Sequence, residues 1–328
     1  MSDQLLFAME VTLNGLMAGV MYALVALGFV LIFKASGIFN FAQGVMALFA
    51  ALTLVGFQTG QVPFAHLINA VFGTRIHHFG WSVPTLAAIV ATMAVMVLMA
   101  LLVERLVLKH LVNQAPIILF MATIGLAYFL EGLGDVMWGA DIKRLDVGLP
   151  QGISETIDGT TFGWFGYGFF IDRLDIVAAL VAAALVVSLT LFSQYTRQGR
   201  ALRAVADDHQ AALSVGISLR AIWVLVWSIA GFVALVAGMM WGTKLGVQFS
   251  LSLIALKALP VLMLGGFTSI PGAIVGGLIV GVGEKLFEFA VGPMIGGATE
   301  NWFAYMLALV FLLFRPQGLF GERIIERV

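Results

Sequence analysis

Long apolar runs recur along nearly the whole chain, and no other feature restricts its fold as much. They cover residues 7–33, 41–57, 84–103, 116–138, 174–192, 221–241, 251–267, 271–290 and 302–314. A helix rises only ~1.5 Å per residue, so about 20 apolar residues are needed to cross a bilayer. Inside hydrocarbon every backbone N–H and C=O must be paired within the protein, which leaves helices as the spanning solution for runs of this kind. The pattern predicts an all-α fold, a polytopic membrane helical bundle of about nine spans, with residues 1–328 forming a single transmembrane domain. Composition agrees: 61% of residues are hydrophobic and 11% charged, against about 25% charged in soluble domains. There is no cysteine, which excludes disulfides and thiolate metal sites. A net charge of −1 gives no reason to expect a nucleic-acid partner. Residues 1–33 contain no Lys or Arg, so no cleavable leader is predicted.

Charge placement predicts orientation. Segments 104–115 and 194–220 and the tail 315–328 hold Arg105, Lys109, Arg197, Arg200, Arg203, Arg220, Arg315, Arg323 and Arg327, which is nine of the seventeen basic residues. Cytoplasmic loops collect such residues. The stretch 139–173 carries Asp141, Asp146, Glu155, Asp158 and Asp172, with Asp175 just past it, against Lys143, Arg144 and Arg173. It is predicted to lie outside, as is 59–83, a polar loop. Nine spans satisfy these placements with the N-terminus outside and the C-terminus inside.

Two places break the apolar pattern where a helix is expected: 36–44 and 265–272. Broken helices at membrane depth persist only where protein or a water-filled cavity satisfies the freed backbone. In transporters such breaks lie beside the substrate path. Asn40 and Gln43 are the polar side chains at the first break, Thr268 and Ser269 at the second. The bland alternative is a pair of interfacial loops. The breaks fall in the two halves of the chain, as a twofold inverted repeat requires. Lys257 sits inside an apolar run, where a cation is costly. It is either a path-lining or gating residue, with a carboxylate as its natural counter-ion, or a lysine snorkelling to the interface. Glu131 and Asp135, and likewise Glu284, Lys285 and Glu288, are open between a vestibule and a wet interface.

The polar stretch 195–216 has helix grammar. Arg200 and Arg203 share a face with three-residue spacing, Asp207 follows Arg203 by four, Asp208 suits an N-cap and Gly216 suits the residue past a helix end. Alanines keep both helices slim, which fits either a groove on another protein or a solvated loop. Three small-xxx-small faces, GLMAG at 15–19, GAIVG at 272–276 and GLIVG at 277–281, permit close helix packing within the chain or against a second subunit. His77 and His78 read as loop residues. No P-loop, nucleophile-elbow or zinc-helix motif occurs, so neither ATP binding through a P-loop nor covalent catalysis is predicted. A proton-coupled carrier is disfavoured because no chain of intramembrane acids is evident.

Five motifs in order carry a resemblance: NGLMAGVMYALVALG at 14–28 with NFAQG at 40–44, MATIGL at 121–126, TRQGRALRAVADD at 196–208 with SVGI at 214–217, LGGFTSIPGA at 264–273, and RPQGLFG at 315–321. Together they resemble the H-type permease subunit of branched-chain amino-acid ABC importers, over nearly the whole chain. The resemblance implies the helical permease fold of ribose-type and vitamin-B12-type importers, with its inverted repeat, in the bacterial inner membrane. It implies a paralogous M-type permease, two ATP-binding cassette ATPase subunits and a periplasmic substrate-binding protein as partners, with lipid around the spans. Residues Arg197, Gly199, Arg200, Arg203, Asp207, Asp208 and Gly216 would then belong to the element that sits in the ATPase cleft. Asn40, Gln43, Lys257, Thr268 and Ser269 are the candidate translocation residues. No catalytic residue, cofactor or metal is implied. Two departures stand at the candidate path: Gln43 replaces a usual histidine, and ALKALP at 255–260 replaces a usual GLKAF. Branched-chain or related amino acids are the implied solutes. Urea, short amides or aromatic acids are the alternatives within the family, and a passive small-solute channel is the alternative from another class.

Overall fold

The computed structural model describes residues 3–80, 82–111, 114–152, 171–207 and 209–321. Among them the regular structure is helical, apart from isolated bridges pairing Gln61 with His78 and Lys143 with Val247. The helices are α1 (Asp3–Ser36), α2 (Gln43–Thr59), α3 (Ala65–Phe72), α4 (Thr85–Leu106), α5 (Pro116–Trp138), α6 (Arg173–Tyr195), α7 (Arg197–Asp207), α8 (His209–Ser214), α9 (Leu219–Leu245), α10 (Ile254–Gly265), α11 (Ile270–Ile295) and α12 (Phe303–Phe314). Glu155, Asp158, Asp208, Arg323 and Arg327 lie outside the described residues.

Each predicted apolar run contains a helix, but the count of about nine spans is not established. Five helices are long and apolar enough to cross a membrane, or six if the pair 249–265 and 270–295, bent by 112°, is one broken span. Helix α2 has 17 residues and α12 has 12, or roughly 25 and 18 Å at ~1.5 Å each. Both breaks expected from the sequence are present, between α1 and α2 and between α10 and α11. One helix was not expected: the polar stretch 59–83 contains α3, which leaves Leu67, Val71 and Phe72 exposed.

The chain divides into two compact units, Met1–Ala26, Gly148–Ser188 and Leu256–Val328 forming one, Leu27–Val147 and Leu189–Ala255 the other. In the second unit α2 is the centre. Its residues from Gln43 to Gly56 are all buried, as an all-round apolar helix requires, and α4, α5 and α9 pack on it. Small residues set the spacing: a Cβ at Gly238 would strike the Ala47 carbonyl, and one at Gly56 would strike the Trp138 ring. Trp138 is itself fully buried.

This unit has two distinct ends. At one, Gln61 Nε2 donates to the Trp138 carbonyl (2.8 Å), Gln58 Nε2 donates to Thr85 Oγ1 (3.2 Å) and to the Asp146 carbonyl (3.0 Å), and Lys143 Nζ donates to Gln61 Oε1 (2.7 Å). Burial lowers the Lys143 ammonium pKa, and Asp141 opposes that shift. At the other end Arg220 pairs with the buried Glu104 at 3.0 Å. Helices α4 and α9 run between these ends. Residues 139–147 and the arginine-bearing stretch before α9 therefore lie at opposite ends of the unit.

In the first unit, glycine brings backbones together. Cβ atoms at Gly15 and Gly19 of α1 would strike the α11 backbone at Gly281 and Gly277, and the reverse holds. The other side of α11 meets α10 likewise, Gly276 against the Val261 carbonyl and Gly272 against Gly265. All three small-xxx-small faces are thus engaged within the chain. Helix α12 packs on α11 through Phe287 and Phe303, stacked 4.6 Å apart.

Candidate functional site

The basic stretch forms α7 and α8, as its sequence predicts. Thr196 Oγ1 accepts from Gly199 N (2.9 Å) and donates to the Phe192 carbonyl (2.7 Å), capping α7. Gly199, Leu202 and Val205 are buried. Arg197, Arg200 and Arg203 have the same three-residue spacing but are displaced by two positions, about 200° around the helix. The buried stripe packs inward, Gly199 against the Phe192 carbonyl at the end of α6 and Leu202 and Val205 in the core shared with α9, and the arginine stripe lies on the opposite side of the helix. Arg197, Arg200 and Asp207 are exposed and Arg203 is half-buried. Arg200 Nη1 donates back to the Tyr195 carbonyl at 3.2 Å.

Gly216 closes α8. Its φ is +84°, its N–H donates to the Leu213 carbonyl, and the Ile217 N–H donates to Ala212, each at 3.0 Å. That is the left-handed helix stop glycine favours. Beside the arginines stand exposed apolar side chains, Tyr195, Leu213 and Val215, the last 74% exposed. A surface of cations and apolar groups on two short helices, anchored underneath, suits contact with another protein more than solvent.

At the first break Asn40 and Gln43 are both buried. Asn40 Oδ1 accepts from Ala42 N (3.1 Å), and Asn40 Nδ2 approaches Gln43 Oε1 (3.5 Å) and Met46 Sδ (3.4 Å). Gln43 Nε2 donates to the Ala230 carbonyl of α9 at 3.4 Å. Gly28 of α1 makes room for that amide, since a Cβ there would overlap it. Thr123 of α5 completes the seal: its Oγ1 accepts from Phe41 N (3.1 Å) and can donate to the Phe39 (3.1 Å) or Phe120 (2.8 Å) carbonyl. Thr123 lies within MATIGL, but its part in the break was not legible from spacing, being over eighty residues away.

At the second break Gly266 turns the chain with φ +101°. Ser269 caps α11 by accepting from Gly272 N at 3.0 Å. Thr268 and Ser269 are half-buried. The freed carbonyls of Leu264 and Gly265 accept from Leu319 N (2.7 Å) and Phe320 N (3.1 Å). The RPQGLFG and LGGFTSIPGA motifs thus join through their main chains. Cβ atoms at Gly318 and Gly266 would each strike the facing backbone.

Lys257, on α10, is held by three groups. Its Nζ pairs with the Glu284 carboxylate of α11 and donates to Tyr22 Oη (3.3 Å) and the Glu300 carbonyl (3.2 Å). Lys285 pairs with the Glu300 carboxylate at 2.7 Å. Glu284 is 1% exposed. Pro260 lies within α10, three residues after Lys257. Glu284 and Tyr22 were not singled out with Lys257. The available signal was a lone cation in one apolar run and, in the next, two carboxylates (Glu284 and Glu288) beside a single lysine, which leaves one anion to seek a partner elsewhere. Asn40 and Gln43 belong to the second unit, and Lys257, Thr268 and Ser269 to the first. Among the described residues no three His, Asp or Glu side chains could hold a metal ion.

Residues 11–315 match the family described as the branched-chain amino acid transport system permease component. The chain is 28% identical to the high-affinity branched-chain amino acid transport system permease protein LivH of Escherichia coli (strain K12), over 100% of both chains. It is 31% identical to the corresponding permease protein BraD of Pseudomonas aeruginosa, over 96% of each. It is 27% identical to a probable branched-chain amino acid transport permease protein LivH of Methanocaldococcus jannaschii, covering 91% of this chain and 88% of that one. No solved structure matches it.

Proposed function

Because this chain belongs to the branched-chain amino acid transport permease-component family, we propose that it is the transmembrane subunit of an ATP-driven importer for branched-chain or related amino acids. It works in the bacterial inner membrane beside an M-type permease. Two ATP-binding cassette subunits drive it from the cytoplasm, and a periplasmic binding protein delivers the solute. The observation that carries this reading is α7: Gly199, Leu202 and Val205 fix it to the bundle, while Arg197 and Arg200 stand exposed and Arg203 half-exposed around the rest of the helix.

Residues 197–216 act as the coupling element. Closure of the ATPase pair pushes α7 and α8, and their contact with α9 passes the displacement to the spans. Transport is alternating access about the two helix breaks, with Asn40, Gln43, Lys257, Thr268 and Ser269 along the path. No covalent chemistry occurs in this subunit.

The test is an Arg200→Glu/Arg203→Glu double variant in the reconstituted complex. Solute uptake is expected to fall at least tenfold while ATP hydrolysis persists and the subunit reaches the membrane in normal amount. Unchanged coupling in that variant refutes the role of α7. Uptake by the wild-type complex that needs no ATP refutes the importer itself.

A further inference from the structure

One concave surface of the second unit is used by none of these elements. Helices α4 and α5 both pack on α2 but scarcely on each other. A slot of about 650 Å³ separates them. Leu98, Leu102 and Leu106 form one wall, Phe129 and Leu133 the other, and Phe49 of α2 lies at the base, with no polar side chain in the lining. On α5 the lining runs from Ala122 to Met137, roughly 22 Å of helix. That is longer than one leaflet of hydrocarbon, about 15 Å.

Gly125 belongs to the slot and to the MATIGL motif, yet a Cβ there would meet nothing within 4 Å. Internal packing does not account for that glycine. Past the slot's end the wall becomes cationic: Arg105 follows Leu98 by seven residues and so continues its face on α4, and Lys109 lies in the short 3₁₀ turn Leu108–His110 just beyond the helix. Both cations are exposed, and neither has an ion-pair partner among the described residues. The adjacent Glu104 is taken by Arg220.

We propose that this slot binds one anionic phospholipid, with an acyl chain between α4 and α5 and its phosphate over Arg105 and Lys109. Size favours a lipid over a partner helix. A helix with side chains is ~10–12 Å across, so 22 Å of it fills on the order of 2,000 Å³, about three times the space. The acyl chain gains little by leaving one hydrocarbon setting for another. Selectivity must therefore come from the cations, each adding about fivefold for an anionic headgroup.

The test uses the full chain in nanodiscs of phosphatidylethanolamine with a minority of phosphatidylglycerol, and weighs the lipid retained after washing by native mass spectrometry. Wild type is expected to retain phosphatidylglycerol enriched roughly 25-fold over the bulk ratio, about fivefold from each of the two cations. Arg105→Ala/Lys109→Ala is expected to keep a bound lipid at the bulk ratio, and Gly125→Phe, which fills the slot, to retain none. Retention at the bulk ratio by wild type, or enrichment that survives both variants, overturns the proposal. A wild-type control covers variants that fail to fold: a phosphatidylglycerol analogue with a photoreactive acyl chain is expected to label 95–107 and 122–137 above α12. Uniform labelling overturns the site. So does a Leu102→Cys chain, otherwise free of cysteine, whose thiol crosslinks to a second polypeptide instead of a lipid probe.

Discussion

The two helix breaks solve one physical problem with different materials. A chain that leaves helical geometry inside a membrane must find partners for the backbone groups it frees. Around 37–42 the partners are neutral side chains: the Asn40 amide takes Ala42 N, and Thr123 takes Phe41 N. Around 266–269 they are largely other main chain: Leu319 and Phe320 donate to Leu264 and Gly265. Glycine permits that approach, and on α10 the buried polar contacts are ionic, between Lys257 and Glu284. A break sealed by amides tolerates changes of backbone spacing but not loss of an acceptor. One sealed by backbone tolerates changes of side chain but not added bulk. The comparison therefore orders the substitutions by cost.

The largest effect is expected from Glu284→Gln. It preserves shape but leaves the Lys257 ammonium, only 25% exposed, without its anion. Losing one partner of a buried pair costs about 3–5 kcal/mol, and the partial exposure of Lys257 favours the lower end. Chemical unfolding followed by helical signal checks this. The Lys257→Met/Glu284→Gln double variant is expected to recover part of the loss, because no charge is then stranded. A single variant as stable as wild type would show that the pair contributes nothing to the first unit.

Next comes Gly266→Ala. An alanine forced to φ +101° carries about 1–3 kcal/mol of strain, and its methyl would press on Gly321 N. About 2 kcal/mol is expected, together with faster proteolysis within 315–321. A stable variant with a protected tail would mean that main-chain contact is not what seals this break.

What the sequence revealed follows the same division. Both breaks were legible because polar and glycine residues interrupt apolar runs, a local signal. The α7–α8 element was legible because its arginines and small residues keep helical spacing within one stretch. Its partners under the bundle, and the pairing of Lys257 with Glu284, depend on contacts between elements distant in sequence, which periodicity does not encode. The same is true of the tail on the second break: RPQGLFG and LGGFTSIPGA are each recognisable, but nothing in either announces the other. Helix α3 escaped because eight residues between Pro63 and Gly73 are too few to establish a period. The span count stayed open because α2, at 17 residues, is at the short limit for crossing, although its complete burial marks it as the core of its unit.

The smallest effect, and the one that probes the first break directly, is expected from Asn40→Leu. The two side chains are similar in volume, so packing around the fully buried site changes little. What disappears is Oδ1, leaving Ala42 N–H without its acceptor where water does not reach. A buried unsatisfied donor costs about 1–3 kcal/mol. The value should fall toward the low end, because Asn40 Nδ2 has only long contacts to lose, at 3.4 and 3.5 Å. Thr123→Val removes the acceptor for Phe41 N and is expected to cost a similar amount. The two losses should be less than additive if the segment 37–42 relaxes as one piece. Should Asn40→Leu cost more than Glu284→Gln, the ordering reverses, and the neutral break, not the ionic and main-chain one, is the more tightly held part of the molecule.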